Sequence, residues 1–314
     1  MASVFVTRDL PGGALGRLRE RHEVEVWESR LPPPAGKLRE RAANCDGLLS
    51  LLTDTVDAEL LAAAPGLRAI SNYAVGVDNV DLAAASERGI PVGNTPDVLT
   101  ESTADLALGL MLAVSRRIVE GQELVRRGEW LTWEPQLLLG RDLHGATVGI
   151  VGFGRIGRAV ARRVEGFGAQ ILKTSRSNGT PLPELLGQSD FVTLHCPLTE
   201  ETEHLIDAAA LQCMRDTAYL INTARGPIVD PAALRRALEE GWIAGAALDV
   251  TVPEPLPQSN PLLEAPNLLV VPHIASATHR TREAMSDMAV DNLLAALDGK
   301  QMPHCANPQV YAQR

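Results

Sequence analysis

The stretch Thr147-Val148-Gly149-Ile150-Val151-Gly152-Phe153-Gly154-Arg155-Ile156-Gly157 decides the fold. Its first five residues form the continuous apolar run of a strand buried on both faces. The rest is a G-x-G-x-x-G pattern, a weak signal alone because glycines are common in turns. The flanking sequence supplies the context. Ile156, Val160 and Val164 recur on one helical face, Gly168 offers a helix stop, and residues 171–175 read as a second strand. In such a unit Gly152 permits the tight turn, Gly154 lets a pyrophosphate approach the backbone, and Gly157 lets helix and strand pack closely. The helix N-terminus adds free N–H groups and a partial positive charge. The stretch reads as the dinucleotide-binding turn of a doubly wound parallel α/β domain.

Toward the C-terminus, residues 191–195, 218–222, 245–250 and 268–271 are apolar runs of the same type, and just beyond three of them lie Arg225, Glu254 and His273. Ligands of open α/β sheets sit outside the carboxyl ends of the strands, so the three residues can converge near the cofactor. Singly, each has an ordinary explanation: a solvated loop cation, a turn carboxylate before Pro255, a satisfied histidine after Pro272. Together they make a chemical set. A carboxylate beside a histidine stabilises the imidazolium and gives a proton donor usable near neutrality. An arginine offers a planar fork to a carboxylate or polarised carbonyl oxygen. Asp230 as N-cap and Pro231 at the first helical position fix where the loop after Arg225 ends.

Toward the N-terminus, residues 4–7, 24–27, 47–52, 67–72 and 90–94 read as strands alternating with helices, one of them over 14–21. Right-handed crossovers then imply a second parallel sheet covered on both faces. A long helix is predicted over 100–120, with Leu106, Leu110, Ala113 and Val114 at helical spacing, followed by an irregular, Trp-containing segment at 121–145. The domain boundary is placed ahead of that helix. A length of 314 residues agrees with two domains, and 45% apolar with 22% charged residues is an ordinary globular composition. Twenty-nine basic against 39 acidic residues, a net charge of −10, argues against nucleic acid or an anionic membrane as partner. No apolar run reaches the roughly 18 residues of a membrane span, and the first seven residues read as a strand rather than a signal peptide. Cys45, Cys196, Cys213 and Cys305 form no C-x-x-C pair, so neither a disulfide framework nor a metal site is expected. The expectation is a reduced, cytoplasmic enzyme.

The end of the second strand bears on the cofactor. An NAD site places Asp or Glu about 20 residues after the fingerprint, where it accepts hydrogen bonds from the ribose 2′-hydroxyl. Here no acidic residue occurs from Gly166 to Pro183, and the strand ends in Ser175-Arg176-Ser177. Two hydroxyls and a guanidinium suit a 2′-phosphate, so NADP(H) is expected in preference, with NAD(H) also admitted. Arg176 stacked on adenine, with both cofactors used, is the alternative. Lys173 shares a strand face with Ser175, as a second cation or a solvated one.

These segments together resemble the D-isomer-specific 2-hydroxyacid dehydrogenase family over nearly the whole chain. The resemblance is carried by Asn72-Tyr73-Ala74-Val75-Gly76-Val77-Asp78-Asn79, Asn94-Thr95-Pro96, the glycine fingerprint and His195-Cys196-Pro197-Leu198-Thr199. It continues in Asn222-Thr223-Ala224-Arg225-Gly226, Ala247-Leu248-Asp249-Val250, Glu254-Pro255 and Pro272-His273-Ile274-Ala275-Ser276-Ala277. Val4-Phe5-Val6-Thr7-Arg8 and Thr95-Pro96-Asp97-Val98-Leu99-Thr100 are most similar to the glyoxylate/hydroxypyruvate reductase branch.

The resemblance implies two Rossmann-like domains with the active-site cleft between them: residues 1–97 plus 284–314 for substrate, and 98–283 for the dinucleotide. Periodicity alone would leave the helix 284–297 with the cofactor half. It further implies reduction of a small 2-oxoacid, such as glyoxylate or hydroxypyruvate, to the D-2-hydroxyacid. Arg225 binds the substrate carboxylate and carbonyl, His273 is the acid/base and Glu254 its charge partner. The amides of Ala74, Val75 and Gly76 cradle the substrate carboxylate, with Ser276 beside it. Leu52 and Trp133 are candidates for an apolar wall. Trp133 falls in the 121–145 segment, expected to be the arm of a homodimer; it reaches the partner's site or simply packs in the interface. The cofactor is lined by Thr103, Gly152, Phe153, Gly154, Arg155, Ile156, Gly157, Ser175, Arg176, Ser177, Cys196, Pro197, Thr202, Thr223, Ala224, Arg225, Asp249 and His273. Segment 177–190 is shorter than the family's, which trims the adenine-side wall. A 3-phosphoglycerate dehydrogenase is the rival enzyme, weakened because nothing follows residue 314 to form a regulatory domain. A nucleotide-sensing scaffold akin to transcriptional co-repressors is the rival from another class.

Overall fold

The structure is a computed structural model describing residues 1–176 and 178–312; the cofactor candidate Ser177 lies outside the described residues. The chain divides into two compact units, Met1–Leu99 with Ala277–Arg314, and Thr100–Ser276.

The first unit alternates β1 (Ser3–Val6), α1 (Ala14–Arg19), β2 (Glu23–Val26), α2 (Ala35–Ala42), β3 (Gly47–Ser50), α3 (Ala58–Ala63), β4 (Ala69–Asn72), α4 (Leu82–Glu87) and β5 (Val92–Gly93). Its strands are parallel in the order β2-β1-β3-β4-β5. β3 and β4 are buried along their whole length, the polar residues Ser50, Ser71 and Asn72 included. Strand order reverses between β1 and β3, so the loops after them share the switch point where ligands of such sheets bind.

The second unit opens with α5 (Thr100–Ser115) and α6 (Ile118–Arg126). The predicted single helix over 100–120 is broken, because Arg117 takes a left-handed conformation (φ 51°) and turns the chain. The beginning of the 121–145 segment is therefore helical. Beyond it Trp130, Leu131, Trp133 and Leu139 are exposed. Arg141 then closes the excursion, its guanidinium 2.7 Å from the buried carboxylate of Asp190. There follow β6 (Thr147–Val151), α7 (Arg155–Glu165), β7 (Gln170–Thr174), α8 (Leu182–Gln188), β8 (Phe191–Leu194), α9 (Ala208–Cys213), β9 (Tyr219–Asn222), α10 (Pro231–Glu239), β10 (Gly245–Leu248) and β11 (Leu268–Val270). These six strands are parallel in the order β11-β10-β9-β8-β6-β7. One face of the sheet packs on α5 and α7 through Ala107, Met111, Val160 and Val164; the other packs on α8, α9 and α10 through Leu185, Leu211 and Leu234. Order reverses at β6, whose neighbours are β7 and β8, so the glycine turn leaves the sheet at its switch point.

The chain returns to the first unit as α11 (His279–Leu297), which buries Met285, Ala289, Val290 and Leu293 against Val4, Val6 and Leu49. The tail continues onto β5. Asn307, fully buried, accepts from the Val92 amide at 2.8 Å and donates to Ile90 O at 2.9 Å, and Asn292 donates to Asn94 O at 3.0 Å. The observed units divide at 99/100 and 276/277, against the expected 97/98 and 283/284. A cut at 284 would fall inside α11, whose buried face belongs entirely to the first unit's core.

Candidate active site

Three strand ends of the second unit carry the candidate chemistry. Asn222, the last residue of β9, is fully buried and shapes the turn that follows: its Oδ1 accepts from the Ala224 amide (3.0 Å) and its Nδ2 donates to the Arg225 carbonyl (2.8 Å). Arg225 is thereby presented from a short, braced loop, and Asp230 caps α10 behind it, accepting from the amides of Ala232 and Ala233. The next residue must be glycine. A Cβ on Gly226 would lie 2.1 Å from the carbonyl oxygen of Thr251, so the Arg225 loop and the loop leading to Glu254 touch backbone to backbone.

Past β11, His273 takes a left-handed conformation (φ 52°), uncommon for a residue with a side chain. Asp249, after β10, holds it there. The carboxylate accepts from the amides of Ile274 (2.6 Å) and Ala275 (3.0 Å), and the Asp249 carbonyl accepts from the His273 amide (2.9 Å). Burial raises the Asp249 carboxyl above the usual range, partly offset by those two amides. Asp249 is 1% exposed and holds the His273 loop from within. His273 Nδ1 lies 2.5 Å from Glu254 Oε1, a charge-assisted bond that fixes the ring and turns Nε2 to the other side. Ser276 ends this unit, nearly buried.

The glycine fingerprint behaves sterically as its spacing requires. Gly152 has φ 94°, and a Cβ there would meet the Cys196 amide nitrogen at 2.4 Å. A Cβ on Gly157 would meet Gly152 O at 2.2 Å, whereas one on Gly154 meets nothing within 4 Å. Open space therefore faces Gly154 at the start of α7, where Arg155, Ile156 and Gly157 supply the first helical amides; a dinucleotide phosphate fits there. Of the other residues expected to line the cofactor, Thr103 is buried on α5, Ala224 is half-buried, and the buried Thr223 hydroxyl has no partner among the described residues. Cys196 is pushed up to about 11 by burial and stays a neutral thiol; burial lowers His195 to about 3, leaving its ring neutral 2.9 Å from Thr193 Oγ1. Pro197 and Thr202 belong to one turn, closed by the Thr202 hydroxyl on Pro197 O at 2.7 Å.

At the end of β7, Ser175 Oγ donates into its own turn, to Asn178 (2.9 Å). Lys173, left open between two roles, places its ammonium 4.5 Å from the Phe153 ring centroid, with the Arg158 guanidinium at 5.0 Å from the same ring. Arg176 is strongly exposed and pairs with Glu201, a residue to which the sequence reading gave no role. An acid inside Thr199-Glu200-Glu201-Thr202 reads as a solvated turn, and only the proximity of the two loops reveals it.

In the first unit, the loops after β3 and β4 are bound together by the pair Asn72 and Asn79. Asn79 Nδ2 donates to Leu51 O (3.0 Å) and Asp54 O (2.8 Å), its Oδ1 accepts from Asn72 Nδ2 (2.9 Å), and Asn72 also reaches Gly76 O (3.0 Å). The carbonyls of Ala74 and Val75 are engaged by Thr95 N and Asn94 Nδ2, both at 2.8 Å. The Ala74 amide donates to Asn72 O, so it is not a free donor of the expected cradle. The amides of Val75 and Gly76 have no acceptor among the described residues, and two adjacent N–H groups form a nest suited to a carboxylate. Leu52 is partly exposed on the neighbouring loop. Trp133, in the second unit, is 78% exposed.

Comparison with known proteins gives the arrangement a family. The model of the D-isomer specific 2-hydroxyacid dehydrogenase NAD-binding domain matches residues 108–275. A glyoxylate reductase from Korarchaeum cryptofilum is 49% identical over 99% of this chain and 97% of its own length. A crystal structure of a Thermus thermophilus protein superposes with a TM-score of 0.91 at 51% identity, covering 97% of this chain and 99% of that one. An NADPH-dependent glyoxylate/hydroxypyruvate reductase from Sinorhizobium meliloti, solved with NADP and malonate, gives a TM-score of 0.85 at 35% identity over 98% and 97% of the two chains. On a match that spans both units, the chain belongs to the D-isomer specific 2-hydroxyacid dehydrogenase family.

Proposed function

We propose that the protein reduces a small 2-oxoacid, glyoxylate or hydroxypyruvate, to the D-2-hydroxyacid, using NADPH in preference to NADH. The observation that carries this reading is the Glu254–His273 pair at 2.5 Å, on a loop in backbone contact with the one that presents Arg225. The cofactor, bound at the glycine turn and the amides that open α7, supplies the hydride. Everything else falls to side chains and amides of the chain. The Val75 and Gly76 amides hold the substrate carboxylate, and Arg225 polarises the carbonyl with its planar fork. His273 holds a proton on Nε2 and delivers it to the carbonyl oxygen as that oxygen gains charge, while Glu254 on Nδ1 stabilises the imidazolium before transfer and orients the ring.

The NADP(H) preference is assigned to Arg176, at the strand end where NAD-selective domains place a carboxylate. The apolar arm, with Leu131 88% exposed, is assigned to a homodimer interface, where Trp133 packs. Among the described residues no helix is long and apolar enough to cross a membrane, and the four thiols are free, in keeping with a reducing cytoplasm.

Steady-state turnover of glyoxylate and hydroxypyruvate with each cofactor tests the activity. His273→Ala is expected to lower kcat about 10²–10⁴-fold with cofactor binding intact. A loss of less than about tenfold rejects His273 as the proton donor. Arg176→Ala is expected to lower kcat/KM for NADPH and leave that for NADH nearly unchanged.

A further inference from the structure

β6 lies between β7 and β8 in the sheet, so a contact between the loops that follow β7 and β8 passes over the carboxyl end of β6. One such contact is present. Arg176 Nη2 donates to Glu201 Oε1 at 2.7 Å, and the other carboxylate oxygen of Glu201 accepts from Thr199 Oγ1 at 2.9 Å. The acid is thus fixed within its own turn while its free face holds the guanidinium. Both side chains are largely exposed, 86% for Arg176 and 64% for Glu201. An ion pair so solvated is held weakly and exchanges partners readily. The loops it joins are the ones that carry Arg176 on one side and Pro197 and Thr202 on the other.

We propose that Glu201 is a specificity-determining residue, which holds Arg176 across the end of β6 and yields the guanidinium to the 2′-phosphate of NADP(H). The inference rests on the assignment of Arg176 to that phosphate. Carboxylate and phosphate compete for one cation. Binding of a 2′-phosphate must displace Glu201 and then tolerate its negative charge nearby, whereas NAD(H) leaves the pair intact. Glu201 therefore moderates the cofactor preference that Arg176 creates.

The test is calorimetric titration of 2′,5′-ADP, which carries the 2′-phosphate without a nicotinamide, against ADP, which lacks that phosphate. The proteins compared are the unaltered enzyme, Glu201→Gln, Arg176→Ala and the double variant. Glu201→Gln is expected to tighten 2′,5′-ADP about three- to tenfold at low salt, and less at high salt, with ADP changed less than about twofold. In the Arg176→Ala background the same substitution should change 2′,5′-ADP less than about twofold. If Arg176→Ala leaves 2′,5′-ADP binding unaltered, the assignment of Arg176 itself fails. If Arg176→Ala weakens binding but Glu201→Gln does not tighten it, or tightens it equally with and without Arg176, the partner exchange is refuted by itself.

Discussion

Replacing Gly226 by alanine puts a methyl group at the point where the catalytic loops touch. The new Cβ would stand 2.1 Å from the Thr251 carbonyl oxygen and 2.4 Å from its carbon. Both are backbone atoms, so no rotamer change relieves the clash. One of the two strand-end loops must withdraw by about 0.9 Å to reach even the shortest tolerated approach of 3.0 Å, and by about 1.3 Å to reach ordinary contact at 3.4 Å. Arg225 precedes the substituted residue and Glu254 follows Thr251 by three, so the withdrawal separates the polarising guanidinium from the Glu254–His273 pair. A misplacement of about 1 Å in a reacting constellation costs about 10²-fold. Overpacking of this kind destabilises by about 1–3 kcal/mol, which a two-unit protein of this size survives. The expected result is a folded Gly226→Ala protein with normal near-ultraviolet circular dichroism and NADPH fluorescence quenching. Its kcat/KM for glyoxylate should be down about 100-fold. A kcat/KM within about threefold of the unaltered enzyme would refute the backbone contact as a determinant of the active-site geometry.

The same substitution at Gly154 should do the reverse: its Cβ meets nothing, so the melting temperature is retained, while the KM for NADPH rises at least about tenfold because the methyl occupies the space a phosphate needs. An unchanged KM would remove the phosphate from that space. His195, held neutral down to about pH 3 by burial, titrates near 6.5 once unfolded, so between these values the unfolded chain binds the extra proton. Stability should therefore fall as the pH drops below about 6.5, by up to about 1.4 kcal/mol per unit from this residue, and urea melts of His195→Gln should show a slope shallower by that amount. Parallel slopes would mean the imidazole is not shielded. Light scattering should report about twice 33.6 kDa for the protein and a monomer for Leu131→Asp; a Leu131→Asp dimer would place the interface elsewhere.

The features legible in the sequence are those set by local rules. β6, the glycine turn and α7 announce themselves because turn sterics and helical periodicity act within a dozen residues. Arg225, Glu254 and His273 stand out only as a set, since each alone reads as an ordinary loop residue, and their convergence depends on the order of β9, β10 and β11. Glu254 and His273 are 19 residues apart and meet only because β10 and β11 are neighbours. The break at Arg117 was hidden, since a left-handed arginine has no compositional mark. The position of α11 was hidden for a different reason: amphipathicity says that a face is buried but not against which sheet. Asn72, Asn79 and Asn222 work by bridging carbonyls and amides that lie close only in the folded chain.

The place of α11 has a consequence for biosynthesis. The core of the first unit needs Met285, Ala289, Val290 and Leu293, yet these residues leave the ribosome after the whole of Thr100–Ser276. The second unit is contiguous and can complete itself in order of emergence. Val4, Val6 and Leu49, with only α1 beside them, must wait for α11 through about 180 further residues, at roughly 5–20 residues per second, or on the order of ten to forty seconds. During that interval the nascent chain presents a sheet face covered by α1 alone, and a chain released before α11 would leave that face half-covered on its first unit.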